Sequence, residues 1–217
     1  MGKIFDINSP VMRFFAMVAN LFVANLLFIF CCLPVVTVGA SFAALNKVVK
    51  DVVADQGDAD VIKPFFRAFG EIFKQATGIW LIMVIVLAMA AWSVFLSVAM
   101  GEAISKLSQT VFGIIAIVVL VVALYIFPLI VRFQNTLGRH LRNALILAIA
   151  NLPRTVLITV VNAIPFLVAY NCTLEVILGL VFYWVIIGPA IGICFTNWLL
   201  GPVFRKFEPE EMTENPS

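Results

Sequence analysis

The stretch Ala76–Met100, ATGIWLIMVIVLAMAAWSVFLSVAM, decides the fold class. It carries no charged residue and exceeds the roughly 20 apolar residues that a helix needs to cross a hydrocarbon layer. Inside lipid every backbone N–H and C=O must be paired within the protein, which leaves a helix or a strand of a closed barrel. Barrel strands alternate apolar and polar residues, and this run does not alternate, so it is read as a helix. Four further runs pass the same test. Phe14–Leu33 stops at Pro34, and Val111–Val131 is nearly unbroken Val, Ile and Leu. Thr155–Leu174 contains Asn162 and Pro165, and Val176–Phe204 is interrupted by Gly188-Pro189 and Gly192. The expected fold is therefore all-α: a polytopic membrane helix bundle of about five transmembrane helices, forming one domain over residues 1–207.

Composition agrees with this reading. Hydrophobic residues make up 63% of the 217 and charged residues 12%, against about 45–50% and 25% in soluble domains. A chain of this size cannot hide so much apolar surface in a soluble core. The net charge of +2 is too small, and too dispersed, for a nucleic-acid partner. The first apolar run has no small-residue cleavage site after it, only Cys31, Cys32, Leu33 and Pro34, and is read as a retained span. Cys31, Cys32, Cys172 and Cys194 fit no zinc or redox spacing and read as packing residues.

Basic residues set the expected orientation. Lys47, Lys50, Lys63, Arg67 and Lys74 fall between the first two spans. Arg132, Arg139, Arg142 and Arg154 follow the third, and Arg205 and Lys206 follow the fifth. The other side keeps only Lys3, Arg13 and Lys106. With Asn46–Gln75 counted as a loop, this bias places the N-terminus outside and the C-terminus in the cytoplasm of a cell membrane. Two stretches on the basic side have helical amphipathicity. Phe65, Phe69, Ile72 and Phe73 oppose Lys63, Arg67, Glu71 and Lys74, while Phe133, Leu137, Leu141, Leu145 and Ala148 oppose Arg132, Asn135, Arg139 and Arg142. Both are expected to lie in the cytoplasmic membrane interface as two amphipathic helices. Asp55, Gln56, Gly57 and Asp58 form a polar turn before the first of them, and residues 208–217 form an acidic, disordered tail.

The segment Asn25–Leu45, NLLFIFCCLPVVTVGASFAAL, resembles the YesL-like family of bacterial integral membrane proteins, a domain of unknown function. The resemblance continues in FFRAFGEIFKQAT (Phe65–Thr77), FPLIVRFQNTL (Phe127–Leu137) and RNALILAIANLPRT (Arg142–Thr155). It implies about five spans in a bacterial cell membrane and, from the company such proteins keep, a role near carbohydrate uptake. It implies no catalytic residue.

Polar residues inside spans mark either structural clasps or a solute pathway. Asn20, Asn25, Asn162 and Asn197 are the candidates, and the clasp is the favoured reading. No Asp, Glu, Lys or Arg lies in the middle of a span, which counts against ion-coupled pumping. Gly188-x-x-x-Gly192 permits close helix approach within the chain, and Pro128, Pro165 and Pro189 are expected to kink their helices. His140, the single histidine, is expected to be interfacial or solvated. Arg132, Arg139 and Arg142 form a candidate contact face for anionic lipid or an acidic partner. P-loop, zincin and nucleophile-elbow patterns are missing. The chain is thus expected to be non-enzymatic and without a cofactor. It reads as an accessory component beside a carbohydrate-uptake system, with a sugar ABC transporter component as partner. A small passive transporter or channel is the alternative.

Overall fold

A computed structural model describes residues 10–55, 60–171 and 173–207, and the described residues are helical throughout, joined by short turns. The elements are α1 (Pro10–Cys31), α2 (Val38–Ala54), α3 (Ile62–Ser97), α4 (Glu102–Arg132), α5 (Leu137–Ala150), α6 (Leu152–Asn171), α7 (Leu174–Ile186) and α8 (Gly188–Phe204). Helices α1, α3 and α4 are each long and apolar enough to cross a membrane. Two bent pairs, α5/α6 at 100° and α7/α8 at 66°, raise the number of candidate spans to five. The architecture is that of a multi-pass membrane protein. The expected acidic tail, Cys172, Lys3 and most of the turn at 55–58 lie outside the described residues.

The sequence leaves open how the helix after Gly39, α2, packs. Residues 46–75 were expected to form a loop and an interfacial helix. Instead α2 reverses the chain after α1 and is buried on most sides, with Ala40, Ala43, Ala44, Leu45, Val48, Val49 and Val52 all inaccessible. It touches α1, α3, α4 and α8. The turn that feeds it is built by the Cys-Leu-Pro segment. The Thr37 hydroxyl lies 2.7 Å from Pro34 O and also within hydrogen-bonding distance of Cys31 O. It thereby serves the Cys31 carbonyl at the end of α1. Ser41 Oγ donates to Thr37 O at 2.9 Å. The Trp80 indole N–H reaches across from α3 to Val35 O at 2.8 Å.

The first expected interfacial helix is not a separate element. Helix α3 runs unbroken through 36 residues, about 54 Å at 1.5 Å per residue, against a hydrocarbon layer of about 30 Å. Its first half extends past the apolar run and packs on α2. Phe65 is inaccessible, and Phe69 and Ile72 border the same core as Leu21, Leu45 and Val49. The apolar face predicted to meet lipid is therefore covered by protein, while Lys63, Arg67, Glu71 and Lys74 remain exposed.

The second amphipathic stretch does form its own helix, α5. Its inward face is rotated from the one expected. His140, Ala144, Leu147 and Ala148 are buried, whereas Leu137, Leu141, Leu145 and Ile149 are exposed. His140 is fully buried rather than solvated, and neither ring nitrogen has a partner among the described residues. The short α4–α5 connection explains the burial, because it folds the first turn of α5 back beneath α4. The α5/α6 bend is pinned by Thr155. Its hydroxyl lies 2.7 Å from the Tyr125 hydroxyl of α4 and 2.8 Å from Ala148 O of α5.

Two glycines are required where they stand. Gly101 turns the chain from α3 into α4 with φ 109°, a left-handed conformation that a Cβ disfavours. Gly39 faces α3, and a Cβ there would sit 2.5 Å from Ala76 O and 2.5 Å from Trp80 Cβ. Both neighbours are fixed to backbone, so the helices themselves would have to separate. Gly39→Ala is expected to destabilise the protein by about 1–3 kcal/mol, read as a lower melting temperature in detergent, with Gly70→Ala, which meets open space, as the matched control.

Candidate functional site at the broken last span

The run expected as one span, 176–204, is two helices that meet at Ile187. The cause is local. Pro189 has no N–H, so Val185 O cannot receive its intrahelical bond, and the bend also separates the neighbouring donors and acceptors. An unpaired backbone group in lipid costs several kcal/mol, so a break survives only where other atoms serve it.

Asn25, on α1, serves this one. Its Nδ2 donates to Val185 O at 2.7 Å and to Trp184 O at 3.2 Å. Its Oδ1 accepts from Ala190 N at 3.3 Å. One buried amide thus meets two carbonyls from the end of α7 and one N–H from the start of α8. Sequence alone marked Asn25 as an intramembrane amide, but its target, 160 residues away, has no signature in the α1 segment.

The other candidates are spread more widely. Asn162 of α6 donates to Ile158 O at 2.9 Å and approaches Thr196 Oγ1 at 3.4 Å, while Thr196 donates to Gly192 O at 2.8 Å. A Cβ at Gly192 would lie 2.8 Å from Asn162 Oδ1, whereas one at Gly188 would meet the rings of Tyr183 and Trp184. The glycine pair therefore works inside the chain: Gly192 admits α6, and Gly188 admits aromatic rings of α7. Asn197 lies elsewhere, with its Oδ1 3.4 Å from Arg132 Nη2. Asn20 is half-buried on α1. Pro128 and Pro165 sit inside helices that each continue as one element.

A cavity of about 170 Å³ opens beside the break, between α2, α4, α6 and the α7/α8 corner. Its walls carry the aromatic rings of Phe42, Trp184 and Phe195 and the polar side chains of Asn46, Asn162 and Thr196. Asn46 was not singled out from the sequence. It lies on α2, is 2% exposed, and donates to Phe42 O, but its Oδ1 has no partner among the described residues.

The arginine triad does not hold together. Arg132 is half-buried, and its guanidinium sits 4.8 Å from the Phe204 ring centroid as well as beside Asn197, so it ties α4 to α8. Arg139 and Arg142 are exposed on α5. Groups of His, Cys, Asp and Glu able to hold a metal ion are not found among the described residues.

Replacing Asn25 by Leu keeps the side-chain volume but strands two carbonyls and one N–H. At about 1–3 kcal/mol per buried unsatisfied group, Asn25→Leu is expected to cost several kcal/mol in thermal or denaturant unfolding from micelles.

Residues 21–94 match the family model described as "Protein of unknown function, DUF624". The match runs from the middle of α1 through α2 and almost to the end of α3. It supports the resemblance at the level of that broad family, over the segment that holds Asn25, the Cys-Leu-Pro turn and Gly39. The chain matches no curated protein and no solved structure.

Proposed function

We propose that this chain is a non-enzymatic accessory or regulatory component of a bacterial cell membrane, working beside a carbohydrate-uptake system through the outer face of α5. The observation that carries the reading is the three-sided build of that helix. One side packs on the bundle through Ala144, Leu147 and Ala148, the next exposes Leu137, Leu141 and Leu145, and the third exposes Arg139 and Arg142. A helix bent 100° from the following span, with apolar and basic sides both uncovered, suits the boundary between acyl chains and an aqueous partner. The two arginines then face anionic headgroups or an acidic surface on a transporter component. The association with carbohydrate uptake rests on the family resemblance.

The cavity beside the last span favours this reading over a sugar channel. Its amide and hydroxyl groups are largely engaged with helix carbonyls. A sugar passing there would leave several hydroxyls unpaired at a cost of about 1–3 kcal/mol each. A small passive transporter remains the second reading, supported by the broken span itself. Flux of a solute into liposomes carrying the pure protein, above that of empty liposomes, is its test.

Short connections make α1 antiparallel to α2 and α2 antiparallel to α3, so Arg13 belongs at the same end as Lys63, Arg67 and Lys74. Both ends of the chain are then cytoplasmic, leaving Lys106 on the opposite side. Single cysteines at Arg13, Lys63 and Lys106, in a background without the native four, are expected to divide two against one toward a membrane-impermeant maleimide applied to intact cells. Labelling of the residue-13 cysteine together with that at 106 would restore the external N-terminus.

Crosslinked purification from host membranes is expected to recover a transporter permease or ATPase with the wild type. The Arg139→Glu/Arg142→Glu variant is expected to recover it at least several-fold less well. If wild type and variant enrich the same proteins equally, the α5 docking face is refuted.

A further inference from the structure

We infer that the groove between α4, α6 and the α5/α6 corner is a binding site for one anionic phospholipid, with an acyl chain in the groove and the phosphate at Arg142. The groove offers about 390 Å³, more than twice the ~150 Å³ cavity that holds a benzene ring. Its walls are almost wholly apolar, with Ile117 and Val121 from α4, Leu145 and Ile149 from α5, and Val156 and Val160 from α6. These side chains are within reach of a ligand: Ile149 is 68% exposed, Ile117 59% and Val156 58%. Along α6 the groove runs from Leu152 to Val160, about 12 Å at 1.5 Å per residue. That length fits within one leaflet of a hydrocarbon layer about 30 Å thick. A compact solute would leave most of it uncovered, whereas an acyl chain lies along it.

The headgroup follows from charge. Arg142 precedes Leu145 by three residues and Ile149 by seven, so it shares one strip of α5 with two side chains of the groove wall. Arg142 is exposed, Arg139 stands exposed one turn before it, and among the described residues neither makes an ion pair. The walls hold no carboxylate at this end. Helices α5 and α6 contain none. The one on α4, Glu102, stands at the opposite end of that helix and pairs with Lys106 at 2.6 Å. A zwitterionic headgroup would bring an ammonium to the same arginines, whereas an anionic one brings only the charge they lack. This site rests on the same placement of α5 at the membrane boundary as the docking face. Lipid binding is read on the pure chain, so either can fail without the other.

The test is native mass spectrometry of the full chain in detergent, titrated with dioleoyl phosphatidylglycerol or dioleoyl phosphatidylcholine, which differ only in headgroup. Wild type is expected to bind one phosphatidylglycerol saturably and at least about fivefold more tightly than phosphatidylcholine, the effect of one basic residue at an anionic headgroup. Arg142→Gln is expected to erase most of that preference with phosphatidylcholine binding unchanged. Lys74→Gln, which removes an exposed cation from α3, a helix that does not wall the groove, is expected to keep it. Val156→Trp, which fills the groove from α6, is expected to weaken phosphatidylglycerol binding several-fold at an unchanged melting temperature. Equal binding of the two lipids by wild type, an equal loss in Lys74→Gln and Arg142→Gln, or undiminished binding by Val156→Trp overturns the site. Should Val156→Trp fail to fold, Ile149→Trp, which fills the groove from α5, decides: undiminished phosphatidylglycerol binding overturns the site, and weakened binding sustains it.

Discussion

The approach of α2 to α3 at Gly39 positions the remaining helices. Helices in lipid gain no hydrophobic free energy by touching one another, because the acyl chains they leave are as apolar as their own side chains. What holds them is close packing and the few polar bonds that lipid cannot replace. A Cβ at Gly39 would stand 2.5 Å from the α3 backbone, so α2 rests against α3 nearly backbone to backbone. The small residues that follow, Ala40, Ala43 and Ala44, are all inaccessible. They let α1, α4 and α8 close around the same short helix.

From that contact the polar architecture follows. With α1 laid along α2, Asn25 comes level with the corner of the last span and can serve the three backbone groups exposed by Pro189. The same arrangement puts Asn46 on the far side of α2, facing the space between α4, α6 and the corner. Two asparagines on adjacent helices thus have opposite fates: Asn25 serves three backbone groups, and Asn46 Oδ1 is buried without a partner among the described residues. The first stabilises the break.

The basic end of the molecule is organised differently. Arg132 is drawn inward by Phe204 and Asn197, whereas Arg139 and Arg142 stay outside because the 100° turn after α5 holds that helix off the bundle axis. Thr155 and Tyr125 fix the turn with hydroxyl bonds. The exposed basic side of α5 is thereby held in a fixed orientation to α6.

The sequence by itself determined the helical class and the apolar runs. Length without charge, as in Ala76–Met100, leaves no other membrane structure. It also identified the glycine pair and Pro189 as points of close approach and interruption, since backbone chemistry is local. Helix α2 was invisible as a buried element because its apolar run is short and contains Lys47, Lys50 and Asp51, which read as a loop beside lipid. The structure accommodates them by aiming Lys47 at Asp51, 3.0 Å away, at the partly exposed edge of the helix. His140 was misplaced for the converse reason: its polar neighbours predicted solvent, and the fold of α5 under α4 supplied burial. Which amide meets which carbonyl, and which arginine stays exposed, depends on contacts between segments far apart in the chain. Only the tertiary structure decides those, because no local pattern records what a side chain will find across a helix interface.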